Sequence, residues 1–163
     1  MIKKKVSATE IELSVARYFS WRINLIVPNV SWGLWLHECD LLVVTKAGYC
    51  YEVEIKISLS DLKADAKKSH GHKSKMIRKL YFAIPEYLTD AIEHIPENAG
   101  ILIISARGQC KMFRDAATNS EAPKLTEKER YQVARLGTMR IFNLKQKIIT
   151  LKSIIREKND RAL

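Results

Sequence analysis

The chain has 163 residues, 47% hydrophobic and 28% charged, with a formal net charge of +10. That length and apolar share suit one domain with its own core and exclude a largely disordered chain. No apolar run approaches the roughly 18–20 residues needed to span a bilayer, so no membrane role is expected, and the excess of cations favours a polyanionic partner.

The opening MIKKKVSATEIE has a basic cluster but no apolar signal core behind it, which predicts an intracellular, cytoplasmic protein. Ser7 or Thr9 can cap a first helix through SATEIELSVARYFSWR, where Ile11, Val15, Tyr18 and Phe19 recur at helical spacing. INLIVPNV reads as a strand stopped by Pro28. In SWGLWLHE, Trp32, Leu34 and Trp35 suit a core or dimer interface better than a base-stacking surface. ECDLLVVT and YCYEVEIKIS then flank Lys46-Ala47-Gly48, a hairpin turn. Ser58 or Ser60 can cap a helix over SDLKADAKKS, and the basic segment HGHKSKMIRK follows. LYFAIP is a buried strand, EYLTDAIEHI a helix, AGILIISA a buried strand that pairs with QCKMFRDA, and the chain is helical from Leu125, with a break expected near Gly137. This order predicts an α/β fold with a mixed sheet flanked by helices: a core over about 10–115 and a helical extension over about 125–160. Cys39, Cys50 and Cys110 show no CxxC pairing and read as reduced, mostly buried thiols.

The hairpin carries the chemistry. With the turn centred on Ala47, paired residues have numbers summing to 94, so Asp40 faces Glu54 and Leu42 faces Glu52. Asp40, Glu52, Glu54 and Lys56 then share one face, and Leu41, Val43, Val53, Ile55 and Ile57 the other. Opposed carboxylates repel unless a cation lies between them, and two carboxylates plus a substrate phosphate are a common seat for Mg²⁺. A lysine one pleat away can steady a phosphoryl oxygen or help activate water. On pattern alone, a solvent-facing strand with mixed charges is an equal reading.

Asp40…Glu54-Ile55-Lys56, placed after a helix bearing Glu12 and before another helix, resembles the PD-(D/E)XK nuclease superfamily. VEIKISLSDLKADAKK followed by KLYFAIP is similar, more closely, to the MmcB-like family of DNA-repair endonucleases, over roughly residues 10–142. Cys39 stands where proline often precedes the aspartate of the superfamily. The resemblance implies a restriction-endonuclease-like αβββαβ core and a Mg²⁺-dependent (or Mn²⁺-dependent) deoxyribonuclease, an endonuclease before an exonuclease, of bacterial or phage origin. It would serve repair, restriction or phage DNA metabolism, hydrolysing DNA with metal-activated water. Asp40 and Glu54 would ligate the metal, with the Ile55 carbonyl as a third ligand. Lys56 would position or activate water, and Glu12 would reach in from the first helix, with Glu10 as fallback. Glu52 would bind a second metal or sit at the rim, and its neighbour Leu42 favours the rim.

Lys67, Lys68, His70, His72, Lys73 and Lys75 suit phosphate contact, or a solvated loop. Asp61 reads as a favourable charge at a helix start, Asp65 stays open, and His37 is either a substrate contact or structural. Ile141, Leu144, Ile148, Leu151 and Ile155 form a short heptad seam, for packing on the domain or for a homodimer; the basic helix could also lie along DNA. The rival functions are an inactive nucleic-acid-binding module of the same fold and a dimeric interaction module.

Overall fold

The computed structural model describes residues 5–30, 37–65 and 74–160. Its order is α1 (Ala8–Tyr18), β1 (Leu25–Val30), β2 (Cys39–Val44), β3 (Cys50–Ile55), α2 (Leu59–Asp65), β4 (Ile77–Pro85), a 3₁₀ helix (Glu86–His94), β5 (Gly100–Ile104), β6 (Cys110–Arg114) and α3 (Glu127–Asp160). The six strands form one mixed sheet in sequential order. β1, β2 and β3 are an antiparallel meander, β3–β4 and β4–β5 are parallel, and β6 returns antiparallel to β5. The parallel step from β3 to β4 needs a crossover, and α2 supplies its helix.

Local chemistry sets the elements. Ser7, not Thr9, caps α1: its Oγ accepts from the Glu10 N–H, and the Glu10 carboxylate accepts from the Ser7 N–H at 2.8 Å. Ser58 caps α2 by accepting from the Asp61 N–H, which places Asp61 in the first turn, as a helix-start charge. Thr126 and Glu129 form the same reciprocal cap on α3.

Three expectations change. Pro28 does not stop β1; it pairs opposite Leu41 and the strand runs on to Val30. β1 lies at the sheet edge, where a residue without an N–H is tolerated. The segment after Pro85 is a 3₁₀ rather than an α-helix, nine residues confined between Pro85 and Pro96. Gly137 does not break α3, which is continuous. A Cβ there would sit 3.4 Å from Val27 Cγ2, so the glycine marks where helix and β1 approach.

Both faces of the hairpin are covered. Leu41, Val43, Val53 and Ile55 pack under Ile11 and Val15 of α1. Leu42, Val44 and Cys50 join Val27, Ile77, Leu125 and Val133 beneath the start of α3. Each fully buried aliphatic side chain of this kind contributes about 1.5–3 kcal/mol. Glu52 and Glu54 share the Leu42 face of the sheet and are buried there.

Candidate active site

The predicted pairing holds where the ladder runs: Leu42 faces Glu52 and Val44 faces Cys50. The backbone pairing ends at Leu41 opposite Val53, and a side chain takes over there. Asp40 Oδ2 accepts from the Ile55 N–H at 2.7 Å. On its other side β3 stays tied to β4, because the Lys56 N–H donates to the Ala83 carbonyl at 3.0 Å. Ile55 and Lys56 are therefore held from both neighbouring strands at the point where β3 ends.

Glu54 and Lys56 lie one pleat apart and form an ion pair, Nζ to Oε2 2.7 Å, with side chains 1% and 5% exposed. Burying two charges costs several kcal/mol per ion before their attraction is counted, so such a pair is poor evidence of a stability device. Buried, paired charges in a cleft between strands are candidates for a functional site.

Glu12 and Asp40 are half-buried and form the more open side of the cluster. Burial raises the Glu12 carboxyl above the ordinary glutamate range, and the Asp40 charge raises it further. Glu10 is engaged in the α1 cap, whereas Glu12 lies within reach of the Asp40 charge. Cys39 records the same field: its thiol is pushed up first by burial, then by Glu52, Glu54 and Asp40.

A raised carboxyl pKa means that the fold disfavours the charged form. Its stabilising contribution is full below the unfolded pKa and is lost as pH rises through the folded one. Glu12→Gln should therefore raise Tm at pH 7 in the presence of chelator. The gain should vanish near pH 4, as read by circular-dichroism melts at the two pH values.

Glu52 is not at the rim. It is fully buried, and His37 Nε2 lies 2.7 Å from its Oε1. Its partner Leu42 belongs to the apolar patch under α3, so a residue on that pair faces inward rather than out. His37 thus has a structural contact, covering Glu52. In a protein of net charge +10, Glu52, Glu54 and Asp40 all bear on Cys39 and Asp40 bears on Glu12, while Lys56 pairs with Glu54 and His37 with Glu52.

Among the described residues, no three His, Cys, Asp or Glu side chains form a ready-made metal-holding group. The Asp40 and Glu54 carboxylates at the strand end offer hard oxygen donors. Such sets suit Mg²⁺, which keeps several waters and takes only one or two carboxylates from protein. A pocket of about 340 Å³ lined by Glu86, Ile103, Lys111, Met112 and Phe113 shares no residue with the cluster.

Of the proposed nucleic-acid contacts, Lys75 is described and exposed. Lys67, Lys68, His70, His72 and Lys73 lie outside the described residues, as do Trp32, Leu34 and Trp35; the side chain of Asp65 is likewise not described. A basic feature not foreseen is Tyr49, whose ring centroid lies 3.9 Å from the Arg78 guanidinium and 5.4 Å from the Lys124 ammonium. The only hint in sequence was an aromatic residue directly after the hairpin glycine.

The molecule is an α/β protein with acids and one lysine gathered where adjacent strands of a mixed sheet end. It belongs to the MmcB-like family, described as DNA repair protein MmcB-like, which matches residues 6–148. Its fold is shared with a solved protein of unknown function from Silicibacter pomeroyi, at 18% identity and a TM-score of 0.62, over 93% of this chain and 96% of that one. No curated protein matches the chain. Among the described residues no helix is long and apolar enough to cross a membrane.

Proposed function

We propose that the protein is a Mg²⁺-dependent deoxyribonuclease of the PD-(D/E)XK type, acting inside the cell in DNA repair. The observation that carries this reading is the buried Glu54–Lys56 pair beside Asp40 and Glu12. A group of carboxylates repels a phosphodiester unless a cation lies between them. The order α1-β1-β2-β3-α2-β4 supports the same reading.

Asp40 and Glu54 would hold the ion. In an extended strand a residue's N–H and C=O point to the same side, so the Ile55 carbonyl would turn with its N–H towards Asp40. When bound, Mg²⁺ supplies positive charge that acidifies a water and polarises the phosphate. Lys56, fixed by Glu54, would orient the attacking water and donate to the phosphoryl oxygen as negative charge grows there. Glu12, with its raised pKa, would accept a proton from that water or orient it. The basic surface, Lys75 included, would align the DNA backbone by phosphate contacts.

Millimolar Mg²⁺ or Mn²⁺ should raise Tm, because only the folded hairpin brings the carboxylates together. A ligand at a hundred times its Kd adds about 2.7 kcal/mol. A melting curve unmoved by either metal, and equally unmoved by chelator, would count against the site.

A further inference from the structure

The seam on α3 does not pack on the domain. Val133 is buried against β1 and Arg140 reaches the Asn29 carbonyl, but beyond that point every described residue of the helix is exposed. Ile141, Leu144, Ile148, Leu151 and Ile155 are 42–59% exposed. From Ile141 to Asp160 the overhang is about 29 Å long at the α-helical rise. In heptad terms the a positions are Ile141, Ile148 and Ile155 and the d positions are Leu144 and Leu151. β-Branched residues at a with leucine at d favour parallel two-stranded coiled coils.

The flanks decide the partner. Lys145 and Lys152 stand at e and Lys147 at g, and from Met139 to Arg156 the helix has no acidic residue. In a parallel pair of identical helices Lys147 would meet the other copy's Lys152, twice by symmetry. Charges at e and g set partner choice, and like charges there act against self-pairing. A duplex would leave the apolar seam in water. A membrane-surface helix separates its charged and apolar faces, whereas here Phe142 and Ile149 sit away from the seam and the lysines border it. The seat is also pre-ordered: α3 is already helical through its anchorage on β1, so the costly nucleus exists before any partner arrives.

We propose that the α3 overhang, Ile141–Ile155, docks an acidic amphipathic helix of another protein as a parallel two-stranded coiled coil. The partner would carry aliphatic residues at a and d and glutamate or aspartate at e and g. This stands independently of the nuclease reading, since none of its residues belongs to the acid cluster.

The test uses the full chain and two synthetic three-heptad peptides, both with isoleucine at a and leucine at d. One has glutamate at e and g, the other lysine. By fluorescence anisotropy the acidic peptide should bind at least about tenfold tighter than the lysine peptide. Lys145→Glu, Lys147→Glu and Lys152→Glu together should reverse that order. Leu144→Asp with Leu151→Asp should abolish binding while leaving the melting curve unchanged, because both leucines are exposed. Equal binding of both peptides, or none, overturns the proposal. So does a dimeric mass for the protein alone that the double aspartate variant halves, which would seat a second copy on the seam. Flotation with phosphatidylserine vesicles without acidic-peptide binding would assign the helix to a lipid surface instead.

Discussion

Lys56→Met should lose Mg²⁺-dependent DNA cleavage by about 10²–10³-fold or more, the scale of removing one donor to a developing oxyanion. It should also destabilise the fold, because Glu54 is 1% exposed and would lose the ammonium 2.7 Å away that compensates its burial. Removing one partner of a buried pair costs about 3–5 kcal/mol. The two effects separate in a second variant. Glu54→Leu with Lys56→Met replaces the pair by apolar volume, and such replacements are often neutral or stabilising. The double variant should therefore regain wild-type stability in urea melts and remain inactive. If the double variant is as unstable as the single one, the pair is structural. If Lys56→Met cuts like wild type, Lys56 has no role in catalysis.

Asp40→Asn should give the opposite profile: activity lost, stability kept. Asparagine retains a side-chain oxygen that can accept from the Ile55 N–H, so the ladder's last bond survives. It removes the charge that raises the Glu12 carboxyl, so Tm in chelator should stay level or rise. Cleavage should fall by more than the roughly 10–100-fold expected from losing an outer-shell partner of a metal site. The metal-induced rise in Tm should shrink as well. A variant that loses activity only because it unfolds would contradict this assignment; melting and cleavage measured on the same preparation distinguish the cases.

The hairpin was legible because a strand's period of two and a glycine turn fix both register and face. Leu42 opposite Glu52 and Val44 opposite Cys50 follow from the position of Ala47 alone. The role of Glu10 was legible too: Ser7 with Glu10 three residues on is a capping-box pattern, which commits Glu10 to the helix start. Glu52 was misplaced because its environment is assembled from afar. Its burial depends on the apolar layer that α3 contributes and on His37, fifteen residues upstream. Pro28 misled because an edge strand looks like any other until neighbours are known. The exposed seam of α3 was visible as a pattern, but only the fold shows that it extends past the sheet rather than along it.

The most direct measurement is a cleavage panel of linear, nicked, branched and single-stranded DNA, with the wild-type protein and Asp40→Asn, in Mg²⁺ and in chelator. A metal-dependent nuclease cuts at least one of these substrates in Mg²⁺, stops in chelator, and loses that activity in Asp40→Asn while still binding the same DNA. Wild-type protein that binds DNA in a salt-sensitive way but cuts none of the four in Mg²⁺ or Mn²⁺ would contradict the nuclease reading and leave a binding module of the same fold.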